Sequence, residues 1–420
     1  MPRCRGFSLQ AFVYNSEDDI AENKNRTYAG NQLQGFDCAG MTLSILHTSD
    51  WHIGKPFGRL DEGVAGILRH ARLKACNRLA NAAREGGARL VLVAGDVFDR
   101  PSLADRELRA PLEQMNVHRD LVWHIIPGNH DPAVAGGIWD RVRRIGLPDN
   151  VVLHLESKPV EIAAGAWLLP APLAAKAMSV DPTAWMDKAA TPAGALRIGL
   201  AHGSIQGFGS EHRASIEIAP DRPKLAGLSY LALGDWHGVR EIGSRAAYCG
   251  TPEPDGFLDN APGFALGVRF EGPETPPVIV RREIGEHRWL KRVIDGGRSS
   301  DVAGLEREIE GLGGQARLAL LSVEVTGRVT MAEESSVRER LDQLDGRVLH
   351  LERLFDKMVP APAVDDVDQL PEGNVRDLAG ELAALAIDPA NERRAIAARA
   401  LRYLFELSEP GGVQKTGDPA

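Results

Sequence analysis

Short, nearly continuous apolar runs recur along the first half of the chain, each followed closely by a polar segment. Leu43-Ser44-Ile45-Leu46 leads to Asp50, Leu90-Val91-Leu92-Val93 to Asp96, and Leu121-Val122-Trp123-His124-Ile125-Ile126 to Asn129. Runs of this length and composition predict buried strands. Between the first two, the pattern from roughly Val64 to Glu85 predicts a helix. Strand–helix–strand alternation indicates an α/β domain, and in open α/β sheets functional groups gather beyond the carboxyl ends of the strands. The polar segments sit there.

Beyond Phe270 the pattern changes. Pro273, Pro276 and Pro277 punctuate the chain, after which Trp289–Ile294, Ala316–Val325 and Arg347–Phe355 read as strands. The charged stretches Asp301–Leu312 and Ala332–Leu344 between them read as helices. These segments predict a small α/β domain over residues 273–360, following a larger one over 41–272. From Pro360 to Pro371 the composition is that of a linker; two helical stretches then complete a tail over 361–420. The second, Asn391 to Leu407, places Ile396, Ala400, Tyr403, Leu404 and Leu407 near one face. Residues 1–40 differ from all of this. Phe7 to Tyr14 is too short for a secretory signal and Asn15 to Gly40 is polar and Gly-rich, so an added or mis-assigned, disordered extension ahead of Met41 is expected, with a docking arm as the alternative.

Composition narrows the class. The chain has 420 residues, enough for two or three domains at roughly 150 residues each, and 43% of them are hydrophobic. A formal net charge of −9 argues against a generally basic nucleic-acid-binding surface. It leaves room for local contacts by Lys55, Arg59, Arg100, Arg106, Arg141, Arg143 or Arg144, although most such charges are merely solvated. Cys4, Cys38, Cys76 and Cys249 show neither metal-knuckle spacing nor a disulfide framework, which fits reduced thiols in a cytoplasmic protein. No apolar stretch is long enough to span a membrane.

The polar segments carry the chemistry: Asp50-Trp51-His52, Gly95-Asp96, Gly128-Asn129-His130-Asp131, Ala201-His202-Gly203 and Gly234-Asp235-Trp236-His237. Hydrolysing a phosphodiester at neutral pH needs a strong nucleophile and relief of charge on the phosphate oxygens; two metal ions about 3.5–4 Å apart supply both. Each segment alone is a weak signal, since a Gly-Asp after a strand is often only a turn and a lone His is often structural. In this order, at strand ends, they resemble the calcineurin-like metallophosphoesterase superfamily. That resemblance implies a four-layer β-sandwich flanked by helices, with the small α/β domain as a cap.

A narrower resemblance rests on the surrounding residues. Leu46-His47-Thr48-Ser49-Asp50-Trp51-His52-Ile53-Gly54, Gly95-Asp96-Val97-Phe98-Asp99-Arg100-Pro101 and Tyr248-Cys249-Gly250-Thr251-Pro252 are similar to motifs of the SbcD and Mre-type DNA-repair nucleases. The resemblance covers about residues 41 to 360 and implies Asp50, His52, Asp96 and His237 around a first metal, with Asp96, Asn129, His202 and position 235 around a second. Asp96 would bridge them. The family's last motif reads Gly-His-x-His, whereas Asp235 stands here in place of the first of those imidazoles. Asp235 is expected either as an oxygen ligand favouring harder ions or as a residue orienting His237. His130 is expected near the scissile phosphate, able to donate a proton to the leaving oxygen, with Asp131 holding its tautomer. Asp99 is read as a turn-forming residue in preference to a substrate-proximal one. His47, His124 and His154 are read as structural, and His70, His118 and His212 as surface or helix residues.

Mixed nitrogen and oxygen ligation without cysteine points towards two manganese ions, with iron or zinc possible. The resemblance implies in-line attack by water with no covalent enzyme intermediate. It further implies action on DNA double-strand ends or hairpins as a nuclease subunit in double-strand-break repair. An SbcC-like, SMC-like ATPase partner would be gripped by the carboxyl-terminal helices, and a homodimer is possible. The chain has no phosphate loop of its own. Two other readings stay open: a phosphodiesterase for nucleotides or other small phosphoesters, and a non-catalytic DNA-end or ATPase-binding subunit with a degraded centre.

Overall fold

The computed structural model describes residues 42–207, 216–360, 367, 370 and 372–408. The expected amino-terminal extension, His212 and most of the linker lie outside them.

The helix predicted near Val64 is α1 (Glu62–Glu85). Asp61 caps it, its carboxylate accepting from the Val64 backbone N–H at 3.0 Å. Val64, Leu68, Ala75, Leu79 and Ala83 recur along its buried face, and the alanines let it lie close against a sheet. Its neighbours are β1 (Leu43–Thr48) and β2 (Leu90–Ala94), parallel to each other, then α2 (Asp105–Val117), β3 (Val122–Ile126), α3 (Ile138–Ile145) and β4 (Val151–Leu153). Leu79, Val91, Val93, Trp123 and Trp139 form the core between these helices and strands.

The chain then builds a second sheet from β5 (Val160–Ala163), β6 (Ala166–Ala171) and β7 (Leu196–His202). A short ribbon of β8 (Ser204–Ile205) and β9 (Glu217–Ile218) follows, then α4 (Arg222–Leu225) and three more strands: β10 (Tyr230–Gly234), β11 (Arg240–Ile242) and β12 (Ala246–Tyr248). It returns to the first sheet through β13 (Phe264–Phe270), antiparallel to β1, and β14 (Val278–Glu283), antiparallel to β13. The two six-stranded sheets run β14-β13-β1-β2-β3-β4 and β11-β12-β10-β7-β6-β5. Between them lie Ile45, Leu92, Leu168, Ile198, Leu200, Tyr230 and Phe270. Full burial of an aliphatic side chain of this kind contributes about 1.5–3 kcal/mol. The outer face of the second sheet is covered by α4 and a 3₁₀ turn at Ala184–Lys188. The result is the four-layer α/β sandwich.

The expected boundary at residue 273 shifts, because β14 completes the first sheet. Apolar alternation after the prolines continues an existing sheet before a new one begins. The small α/β domain expected after the prolines is a parallel sheet of β15 (Arg288–Asp295), β16 (Ala319–Val329) and β17 (His350–Pro360). Its crossovers are α5 (Ser299–Gly311) and α6 (Met331–Asp345). The strand expected from Ala316 begins at Ala319, since Gly313–Leu318 forms a 3₁₀ turn after α5. Phe57 ahead of α1, with Val64 and Leu68 in its first turns, packs with Leu320, Trp289 and Phe257, joining the small domain to the sandwich. In the tail, α7 (Asn374–Ile387) and α8 (Arg394–Ser408) pack through Ala379, Leu401, Leu382 and Leu404.

Candidate metal centre

The strands β1, β2, β3, β7 and β10 deliver their carboxyl ends to one place. Asp50 and His52 follow β1, Asp96 follows β2, Asn129 and His130 follow β3, His202 ends β7, and Asp235 and His237 follow β10. Three groups have one ligand atom from each member within 4.8 Å of the others: Asp50, His52 and His237; His52, Asp96 and His130; and Asp50, Asp96 and His202. Asp96 sits as a bridge would, its Oδ2 3.7 Å from His52 Nε2 and 3.5 Å from His202 Nε2.

Bringing these side chains inward strains the backbone. Asp50 (φ 55°), His52 (φ 44°), Asp96 (φ 54°) and Asp235 (φ 106°) all lie in the left-handed region, at a cost of about 1–3 kcal/mol each. Backbone hydrogen bonds hold the loops there: Asp50 N–H to Gly95 O at 3.1 Å and His52 N–H to Asp96 O at 3.0 Å. The preceding glycines are steric requirements. A Cβ on Gly128 would fall 2.1 Å from Asp96 Oδ1, and one on Gly234 would fall 2.0 Å from the Ala94 carbonyl oxygen.

The imidazoles are oriented from behind. His202 Nδ1 donates to the Ala94 carbonyl at 2.8 Å; a carbonyl only accepts, so Nδ1 carries a proton and Nε2 is the nitrogen that faces the centre. His237 Nδ1 lies 3.2 Å from Asp255 Oδ2 and His52 Nδ1 lies 3.3 Å from Asp99 Oδ1. Carboxylate or carbonyl support of this kind is how metal-binding imidazoles are held. The Nε2 atoms of His52 and His237 face each other at 3.2 Å.

Electrostatics and satisfaction agree with a cation site. Burial by itself would lower His202, but the Asp96, Asp50 and Asp235 carboxylates and the Ala94 bond raise it to about 9. For His52 burial dominates and lowers it to about 4. Burial also opposes protonation of His237, yet the hydrogen bond with Asp255 raises it above the ordinary value. Around His202 the carboxylates thus outweigh the effect of burial. Among the described residues, His202 Nε2 and Asn129 Oδ1 are buried without a hydrogen-bond partner, an expensive arrangement unless a ligand uses them. Nitrogen and oxygen donors without thiolate fit divalent ions.

Some expected roles move. Asp131 does not hold His130: its buried carboxylate accepts from the Gly128 N–H at 2.7 Å and the Phe98 N–H at 3.0 Å, stapling the β2 and β3 loops. Being next to a glycine turn, it is closer to backbone donors than to its sequence neighbour's ring. His130 is exposed and its Nδ1 donates instead to the Asp99 carbonyl at 2.7 Å. Asp235 does not orient His237, whose Nδ1 meets Asp255. The Asp235 Oδ1 accepts from Asn129 Nδ2 at 3.2 Å and its Oδ2 from Ser204 Oγ at 2.6 Å.

Asp99, read from sequence as a turn former, supports His52. Asp255 and Arg72 were not among the expected residues. Arg72 is the buried charge on the sheet-facing side of α1; it donates to the Trp51 carbonyl at 2.6 Å and lies 3.3 Å from Asp255. Asp255 also pairs with Lys55; burial opposes ionisation of its carboxyl, but the hydrogen bond with His237, then Arg72 and Lys55, hold it far below the usual range. The one available signal was its place shortly after the last motif. Of the basic residues singled out, Arg141 is tied to Asp105 and to the Leu103 carbonyl, while Arg59, Arg100 and Arg106 are exposed.

The remaining histidines are structural in their contacts. His47 bridges Tyr230 and the Leu233 carbonyl, and His124 stacks on His154 with ring centroids 5.2 Å apart. His70 is exposed on α1, and His118 caps α2 against Asn77 and Arg84.

The sequence model of the calcineurin-like phosphoesterase family matches residues 43–216, which supports a phosphoesterase domain of that kind and with it metal-dependent hydrolysis of phosphoesters. No curated protein matches the chain. Among solved structures, the crystal structure of TT1561 of Thermus thermophilus is similar at 12% identity and a TM-score of 0.38, covering 58% of this chain and 99% of that one. A second crystal structure aligns at 9% identity and a TM-score of 0.39, covering 58% of this chain and all of the other. The narrower likeness to DNA-repair nucleases stands on the motifs alone. Among the described residues, no helix is long and apolar enough to cross a membrane.

Proposed function

We propose that the chain is a metal-dependent phosphodiesterase that acts on DNA ends or hairpins as the nuclease subunit of a cytoplasmic repair complex. The observation that carries the hydrolytic reading is the convergence of the His52, His202 and His237 rings on Asp50 and Asp96, with each Nδ1 turned away towards a carboxylate or carbonyl oxygen.

Asp50, His52, Asp96 and His237 would hold one divalent ion, and Asp96, Asn129 and His202 the other, with manganese favoured by the donor set and iron or zinc as alternatives. Bound divalent ions at such a site neutralise phosphate oxygens and activate water. The protein's own groups do the rest. His130 has Nδ1–H committed to Asp99, so its Nε2 is the atom free to carry a proton to a leaving oxygen. Asp99 and Asp255 keep His52 and His237 from rotating. The cap, seated on Phe57 beside Lys55, narrows approach from that side. We further propose that α7 and α8, with Leu378, Ile396 and Tyr403 exposed, bind the ATPase partner.

The test is manganese-dependent cleavage of blunt and hairpin DNA by the chain with its ATPase partner, comparing wild type and His130→Ala. Cleavage by wild type, sharply reduced in the variant, supports the nuclease. The net charge of −9 and the engagement of Lys55 by Asp255 favour a second reading, a phosphodiesterase for small diesters. Turnover of a small diester with none of DNA would establish that one instead.

A further inference from the structure

Position 235 is where the chain departs from the resemblance, and its surroundings suggest a role that neither sequence expectation gave. Both oxygens of the Asp235 carboxylate are engaged by protein donors: Asn129 Nδ2 at 3.2 Å and Ser204 Oγ at 2.6 Å. Asp235 belongs to none of the three groups of converging ligand atoms among the described residues; its backbone N–H donates to the Asp50 carboxylate at 3.2 Å, while its own carboxylate lies 3.8 Å from His202 Nε2 through Oδ1. Asn129 Oδ1, by contrast, is buried and has no hydrogen-bond partner among the described residues.

An asparagine amide can present either its oxygen or its N–H₂ to a given point, since a half-turn about the last bond exchanges them. Facing a cation, the two states are opposite: the oxygen binds, the N–H₂ repels. A carboxylate beside the amide settles the choice, because only the N–H₂ can donate to it and a charge-assisted hydrogen bond is the stronger kind. Ser204 in turn holds the carboxylate in place from its other oxygen.

We propose that Asp235 is a positioning residue that fixes the Asn129 amide with Oδ1 towards the second ion, and is not itself a ligand. This rests on the two-ion reading of the centre. Asp96, Asn129 and His202 are then the side chains that hold the second ion, one fewer than the resemblance implies, and this ion is bound more weakly than the first.

The full-length chain, stripped by chelation and reloaded with cobalt(II), gives two readouts independent of turnover: calorimetric stoichiometry and affinity, and the visible absorption of the bound ion. Asp235→Asn keeps an acceptor oxygen for Asn129 Nδ2 and a donor for Ser204 Oγ. Asp235→Gly deletes the side chain without strain at φ 106°. Expected are two ions in wild type; two in Asp235→Asn, with the weaker affinity within about threefold and the absorption bands unmoved; and at least tenfold weakening of that ion in Asp235→Gly. If Asp235→Asn loses the ion or shifts its bands as a lost carboxylate ligand would, Asp235 is a ligand and the proposal fails. It fails equally if Asp235→Gly changes nothing. Fewer than two ions in wild type would overturn the two-ion reading itself, and this inference with it.

Discussion

His47 on β1 and Tyr230 on β10 meet in the fully buried interior between the two sheets, Nδ1 to hydroxyl at 2.9 Å. The other ring nitrogen, Nε2, donates to the Leu233 carbonyl at 3.2 Å, so Nδ1 must accept from the tyrosine. Burial lowers the His47 pKa to about 3, against the pull of the Leu233 bond, and the ring stays neutral. The pair pins the two sheets together just before the loops that carry Asp50 and Asp235.

Tyr230→Phe removes the donor and leaves a buried acceptor unpaired. The expected cost is about 1–3 kcal/mol, read as a lower urea midpoint, accompanied by weaker divalent-ion binding because the two sheets lose a tie close to the loops that carry Asp50 and Asp235. An unchanged midpoint would remove the pin from the account.

His130→Ala is expected to lower kcat on a phosphodiester by about 10²–10⁴-fold while leaving the number of bound ions unchanged. The effect should be larger for a poor alkoxide leaving group, as in DNA, than for a nitrophenolate that departs without a proton. Equal losses on both substrates, or the loss of an ion, would assign His130 to the metal shell that its proximity to His52 and Asp96 also permits.

Asp255→Asn leaves the Arg72 guanidinium, whose side chain is 1% exposed, without its carboxylate. Uncompensated burial of that charge is expected to cost about 3–5 kcal/mol, and loss of support for His237 to weaken ion binding about 10–100-fold. Adding Arg72→Met should restore much of the stability and none of the ion affinity. Recovery of both together would mean that Asp255 acts only through the fold.

Stability should fall in mild acid through the His124–His154 stack. Burial lowers His154 to about 4 and drives His124 well below its ordinary value. A folded-state pKa below the unfolded value of about 6.5 means that the unfolded chain binds the proton first. Nothing is lost above about pH 6.5, and the penalty grows as pH falls towards the folded pKa. At pH 5 the His154 share is about 2 kcal/mol. Melting temperatures between about pH 7 and 4.5 should drop more steeply for wild type than for His154→Gln; parallel curves would rule the stack out as the cause.

Local patterning was enough to place α1, the first strands and the polar segments after them, because apolar period and strand-end motifs are written in neighbouring residues. It also sufficed for the small domain's alternation of strands and helices, since each element there buries its own stripe. The chain order of Asp50, Asp96, Asn129, His202 and His237 pointed to a common centre before any geometry was known. Tertiary structure decided the rest. Asp255 reaches Arg72 and Lys55 from far along the chain, and Asp99 turns from a loop residue into the partner of His52 only when the β1 and β2 loops are laced together. Asp131 is claimed by backbone N–H groups, and Asp235 by Asn129 and Ser204. Side-chain identity fixes what a residue can donate or accept. Which partner stands within hydrogen-bonding reach is set by the packing of two sheets, and no local pattern encodes that.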